Sequence, residues 1–420
     1  MTFKGFSTQL LPPPAPPATS AQESSPSSLS SPSSPLWEDV RLCVLKNLFM
    51  PRSSLPIFEL AKRWLKTGIT MLLLVTLSLG LSAAYRQSRL PVGNPITDGR
   101  ALLRYALPID NQPVRDLQSS LEDIANQIRA NRRWSAVSSD ISKASSILSR
   151  PEKLLASVPE ERQAKAEALI EELKGQLIAL SSANEAKDKN QISVERYKAL
   201  DLVGDLEDLM VQNFPYEVPA EYSNLPQLKG RATIEMTTNK GPITLVVDGF
   251  SAPVTAGNFV DLVERGFYNG MKFIRAEESY VLQAGDPPGP DQGFIDPATG
   301  KYRAIPLEIL VKGDPVPTYG ITLEDAGRFR EQPVLPFSAY GAVAMARPEF
   351  QPDGGSSQFF FFLFEPELTP AGLNLLDGRY SVFGYVIEGK EVLEKLRAGD
   401  TIESAKVVRG AENLVQPQAA

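Results

Sequence analysis

At 420 residues the chain is long enough for more than one domain, and its net charge of −7 argues against nucleic acid as a partner, because phosphate binding needs a basic field. It contains no histidine and a single cysteine, Cys43, which excludes Ser-His triads, histidine-containing metal sites and an intrachain disulfide. What remains is the chemistry of arginine, amides, carboxylates, hydroxyls and the backbone, a set suited to binding and conformational catalysis with no cofactor.

Residues 1–60 open with a Ser/Pro-rich tail ("STQLLPPPAPPATSAQESSPSSLSSPSSPL", residues 7–36) that offers too few apolar groups to offset the entropy of ordering. In 61–86, Lys62, Arg63 and Lys66 precede an apolar run from Ile69 to Leu81 that ends in "SAA". The run falls short of the roughly 20 residues of a membrane span, and the pattern predicts a signal peptide or membrane anchor. Met50 stands where a signal of ordinary length would start. The expected destination is therefore outside the cytoplasm, with membrane contact only through this segment.

Between residues 97 and 212, apolar residues recur in steps of three and four, the period of one helix face. Val114, Leu117, Leu121, Ile124 and Ile128 make one stripe; Trp134, Val137, Ile141 and Ala144 a second, ended by Pro151. Ala166, Leu169, Leu173, Leu177 and Leu180 make a third; Tyr197, Leu200, Val203 and Met210 a fourth. Four such faces predict a helical bundle. Residues 213–230 hold three prolines and read as an extended linker. From residue 231 the period changes to two: "ATIEMTTNKGPITLVVDG" reads as strand, turn and strand about "NKG".

The segment "APVTAGNFVDLVERGFYNGMKFIRAEESYVLQAGDPPG", residues 252–289, closely resembles the cyclophilin family of peptidyl-prolyl isomerases, and "GAVAMARPE" (341–349), "SSQFFFF" (356–362) and "LLDGRYSVFGYVIEG" (375–389) resemble later blocks of the same family in the same order. Upstream, "RALLRYALPIDNQPVRDLQSSLEDI" and "FPYEVPAEYSNLPQLKGRA" resemble the large multidomain cyclophilins of the thylakoid lumen of plants and cyanobacteria. The resemblance implies a multidomain α + β chain: an N-terminal helical bundle, then over 231–420 a cyclophilin-like closed antiparallel eight-stranded β-barrel capped by two helices. It further implies location in the thylakoid lumen or periplasm, proline-containing protein segments as partners, and photosystem II subunits among them.

By position in these motifs the resemblance assigns Arg275 and Gln283 to catalysis, the arginine as donor to the prolyl nitrogen and the glutamine to the substrate backbone and to steadying the arginine. It places Phe360 at the bottom of the proline pocket, Tyr280, Met345 and Ala346 in its surroundings, Leu376 and Tyr380 at its rim, and Gln358 in the groove. Strand alternation sends Phe359 and Phe361 to one face and Phe360 and Phe362 to the other. The chemistry suits a chain without histidine. Prolyl rotation breaks no bond, and lowering tens of seconds to milliseconds asks for about 5.5 kcal/mol, the order of a charge-assisted hydrogen bond with water excluded. The sequence also departs from the family: Ile274 and Tyr380 replace histidines, Arg347 an asparagine, Tyr280 a phenylalanine, and Leu375 stands near the place of a tryptophan that supports cyclosporin binding. Weak cyclosporin binding and slow turnover on short peptides are expected. A catalytically weak proline-binding scaffold, with the bundle as docking or autoinhibitory arm, is the alternative.

Overall fold

The computed structural model describes residues 96–129, 133–290, 292–297, 299–364 and 374–417. The tail at 1–60, the signal or anchor at 61–86 and most of "TPAGLN" lie outside the described residues. Among the described residues no helix is long and apolar enough to cross a membrane.

Among the described residues six helices precede the sheet: α1 (Gly99–Ala106), α2 (Gln112–Arg129), α3 (Trp134–Leu148), α4 (Pro151–Leu155), α5 (Glu160–Glu185) and α6 (Lys189–Met210). Their starts follow local chemistry. The Asp98 carboxylate accepts from the Arg100 amide and Asp188 from those of Asn190 and Gln191, each taking up amide groups a first helical turn leaves free. Pro151 sits at the first position of α4, where a missing N–H costs nothing. The stripes of α2, α3, α5 and α6 meet in one core that fully buries Leu117, Leu121, Val137, Leu173, Leu180 and Val203. Trp134 and Leu169 pack against this core from its edge, partly buried, while the expected Tyr197 is exposed beneath the Arg196 guanidinium, 4.6 Å from its ring.

Helix α1 belongs to a different core. Leu102, Leu103 and Ala106 pack on the outer face of the sheet in the cluster that holds Tyr385 and Phe360. Close approach is possible because Gly99 has no side chain: a Cβ there would stand 2.7 Å from the Tyr385 Cβ.

The expected linker, residues 213–230, is not extended to its end: Gln227–Leu228 already forms β1, and Leu225 and Leu228 join the sheet core; then come β2 (Arg231–Thr238), β3 (Gly241–Asp248), α7 (Pro253–Glu264), β4 (Arg275–Glu277) and β5 (Val281–Ala284). Two short ribbons follow, β6 (Ile295–Asp296) with β7 (Lys301–Tyr302) and β8 (Glu308–Ile309) with β9 (Thr318–Tyr319). Then come β10 (Ala342–Met345), β11 (Phe359–Phe362), β12 (Val382–Glu388), α8 (Lys390–Leu393), β13 (Ile402–Arg409) and β14 (Leu414–Val415), which pairs with β1. The hairpin about "NKG" joins β2 and β3, with Gly241 supplying the positive φ of 136°.

Eight strands form one antiparallel sheet in the order β13-β2-β3-β12-β10-β11-β5-β4. The strand count matches expectation; closure does not. The ladder does not run on from β4 to β13. The sheet curls, and its ends meet only at a corner, where Lys272 bridges Thr401 and the Phe273 amide donates to the Asp400 carbonyl at 2.8 Å. With three residues, β4 is too short to follow the eight-residue β13. The expected pair of capping helices is also unequal: α7 runs twelve residues, α8 a single turn of four. Inside the curl, Phe259 of α7 meets Phe359 and Phe383 at ring distances of 5.0 and 5.1 Å.

Candidate active site

The site grows from strand register. Arg275 of β4 lies opposite Gln283 of β5, Gln283 opposite Phe360 of β11, and Phe360 opposite Ala344 of β10. Directly opposed residues project to the same face of a sheet, so the guanidinium, the amide and the ring rise from one row on the outer face. The four phenylalanines divide as alternation requires. Phe359 and Phe361 enter the core inside the curl, while Phe360 and Phe362 join the outer cluster.

Phe360 is fully buried. Its ring stacks on Phe337, with centroids 6.0 Å apart, and meets Tyr380 edge-on at 5.4 Å. Around this floor, Tyr280, Ala346, Leu376 and Tyr380 pack as partly buried neighbours. The Phe360 ring is thus a covered apolar floor, closed by Phe337 and Tyr380 beneath partly buried walls. Burial pushes the Tyr280 and Tyr380 hydroxyls above their ordinary pKa, and the charge of Arg275 draws both back, as Arg347 also does for Tyr380. The arginine and the walls thus share one electrostatic neighbourhood.

Met345 is placed differently from the expected wall. It pairs with Phe359 and points into the inner core. In "AVAM" of β10, Ala342 and Ala344 share the Phe360 face while Val343 and Met345 turn inward. Val281, not among the expected site residues, is buried in the Phe360 cluster. The signal for both was present, since a strand that shows Gln283 outward also shows Val281, and "AVAM" alternates in the same way.

The polar half is a relay of amides. Gln283 Nε2 donates to Gln358 Oε1 at 2.7 Å, and Gln358 Nε2 donates to Asp286 Oδ1 and the Gln292 carbonyl, each at 2.9 Å. Gln283 therefore engages Gln358 where the family motif implied contact with the arginine. Arg275 instead donates from Nε to Glu277 Oε1 at 2.7 Å, with Nη2 2.5 Å from the same oxygen. Its Nη1 is buried and has no acceptor among the described residues. A buried charged donor left unmatched is a position at which an incoming acceptor is favoured.

Arg347 works at the rim. Its Nε and Nη2 donate to the Arg379 carbonyl at 3.0 and 2.8 Å, its Nη1 to the carbonyls of Pro348 and Glu349, and its guanidinium lies 5.2 Å from the Tyr380 ring. These bonds tie the loop before β12 to the loop after β10 and hold Tyr380 against Phe360. Burial lowers the Arg347 pKa. Among the described residues no group of histidine, cysteine or carboxylate side chains is arranged to hold a metal.

Residues 98–211 match the family model of the PsbQ-like domain of CYP38-like peptidyl-prolyl cis-trans isomerases, and residues 233–412 match that of the cyclophilin-type peptidyl-prolyl cis-trans isomerases. The chain is 59% identical over 370 residues to the Synechocystis sp. protein sll0408, whose name assigns it to the thylakoid lumen peptidyl-prolyl cis-trans isomerases; the match spans 86% of this chain and 97% of that one. It is 46% identical over 336 residues to the chloroplastic peptidyl-prolyl cis-trans isomerase CYP38 of Arabidopsis thaliana, with 77% of each chain covered. Identity to the chloroplastic CYP37 of the same plant is 34%, over 76% of this chain and 71% of that one.

Proposed function

The chain belongs to the cyclophilin-type peptidyl-prolyl cis-trans isomerases, and we propose that it turns X-Pro bonds of thylakoid lumen proteins, photosystem II subunits among them, at the row Arg275–Gln283–Phe360. The observation that carries this reading is the register that sets a charged donor and a buried aromatic floor on one sheet face, two strands apart. The proline ring seats on Phe360 between Tyr280 and Tyr380. As the imide twists, resonance is lost and its nitrogen gains a lone pair. The Arg275 guanidinium donates to that nitrogen. Gln283, fixed by Gln358, is available to the adjoining substrate backbone. The lumen location follows the naming of the relatives; the photosystem client follows the family resemblance.

The test is cis–trans exchange of an X-Pro peptide, measured by NMR. The protein is expected to accelerate exchange, and Arg275→Ala to reduce the acceleration at least about a hundredfold, as for loss of a charge-aimed donor. Equal acceleration by protein and variant would remove Arg275 from the mechanism.

One observation supports a second reading, a proline-segment scaffold with little turnover. Helix α1 shares its apolar cluster with Phe360 on the same sheet face, so the segment leading to the bundle packs beside the site, which supports the helical region as a docking or autoinhibitory arm. In that case the peptide binds but its exchange is not accelerated.

A further inference from the structure

Arg275 and Glu277 stand two residues apart on β4, and an extended backbone turns both side chains to the same face. The carboxylate takes one edge of the guanidinium, Nε and Nη2, and leaves Nη1 as the donor without an acceptor among the described residues. Gln283 is already engaged by Gln358. We propose that Glu277 is a positioning residue of this site: its carboxylate takes Nε and Nη2 and fixes the rotation of the Arg275 side chain, keeping Nη1, buried in the free protein, as the unpaired donor left for the twisting imide. The proposal rests on the isomerase reading above.

Three arguments converge. The long Arg275 side chain holds about 2 kcal/mol of rotamer entropy when free, and with 21% of it exposed the packing around β4 confines it only in part. A bond across Nε and Nη2 removes most of that freedom before substrate arrives. The pair adds little to folding, because Glu277 is half exposed and exposed ion pairs are screened; its consequence lies in orientation. Finally, the bond uses an oxygen acceptor, which an amide also provides. Gln can keep the geometry without the charge, so position and charge are separable.

The experiment compares the protein with Glu277→Gln and Glu277→Ala by NMR exchange on an X-Pro peptide and by the Nε–H resonance of Arg275, assigned with Arg275→Lys. Glu277→Ala is expected to lower kcat about tenfold with KM within about twofold, as for a misaimed donor, while Glu277→Gln retains at least about half of kcat. The Nε–H resonance should be slowly exchanging in the parent and Glu277→Gln and broadened in Glu277→Ala. Unchanged kcat in Glu277→Ala overturns the proposal. So does a rise of kcat in both variants, which would make the carboxylate a restraint on the arginine charge. If the parent does not accelerate exchange, the isomerase reading fails by itself. The Nε–H resonance then still decides the contact: identical behaviour in all three proteins overturns it, and loss in Glu277→Ala alone upholds it.

Discussion

Phe359 and Phe360 are neighbours in sequence, equally buried, and differently employed. Phe359 packs edge-on to Phe259 at 5.0 Å, Tyr268 at 5.3 Å and Phe361 at 5.5 Å, all inside the curl. Removing that ring leaves a cavity ringed by aromatics that cannot collapse. Phe359→Ala should cost about 3–5 kcal/mol, read as a fall in the denaturation midpoint. Phe360 lies on the outer face, where Tyr380 and Phe337 close on it. Phe360→Leu keeps an apolar floor but loses the ring face, so its main effect should be a KM for X-Pro peptide raised about tenfold, with a midpoint shift smaller than that of Phe359→Ala. A larger stability loss in Phe360→Leu than in Phe359→Ala would contradict the division of faces. Met345 teaches the same lesson. Motif position marks a residue as near the site, but the strand period decides which side of the sheet it serves.

The N-terminus of α7 shows what a single element owes to distant chain. Its first amides, those of Val254 and Thr255, donate to the carboxylate of Glu308 at 3.1 and 2.9 Å, from 54 and 53 residues away. Burial pushes the Glu308 pKa up from its ordinary 4.5 to about 7, while the bonds from Thr255 and Val254 pull it down. The sign follows from proton binding. Between about 4.5 and about 7 the folded chain holds this proton and the unfolded chain does not, so stability is greater at the acid end and falls as pH rises through that window. Glu308→Gln keeps an acceptor for both amides and cannot ionise. It should flatten the fall, on the order of 1–3 kcal/mol, when denaturation midpoints are compared at pH 5 and pH 7.5; parallel pH profiles for parent and variant would rule this out. Pro253 takes the first turn of α7, where its missing N–H costs nothing. The capping partner of α7 was not legible, since no local pattern links Glu308 to it. The stripes of α2, α3, α5 and α6 and the β2–β3 hairpin were legible for the opposite reason: each is set by contacts within a few residues. The open end of the sheet lay between these cases, because closure depends on whether β4 is long enough to meet β13.

At the scale of the molecule, two kinds of contact join the helices to the sheet. One is ionic: Arg100 of α1 reaches Asp201 of α6 at 2.8 Å and Glu388 of β12 at 3.0 Å, and Arg409 of β13 reaches Asp205 of α6 at 3.0 Å. Arg100, Asp201, Asp205 and Arg409 line a cleft of about 520 Å³ whose walls include Lys229, Arg231 and Phe214; open to water, such pairs weaken with salt. The other is apolar: α1 lays Leu102, Leu103 and Ala106 on the sheet, in the cluster of Tyr385 and Phe360. By sequence position α1 is the first helix of the bundle, and by packing it is part of the sheet domain. Calorimetry in about 0.5 M salt, where the ionic contacts are screened, should resolve two unfolding transitions. Leu103→Ala is then expected to lower the sheet transition by about 2–4 kcal/mol, and Leu121→Ala, in the core of α2, to lower the helical one by a similar amount. Gly99→Ala should act like Leu103→Ala, because its new Cβ meets Tyr385 and lifts α1 from the sheet. If Leu103→Ala lowered only the helical transition, α1 would belong with the bundle after all, and the Phe360 floor would be independent of the chain that precedes it.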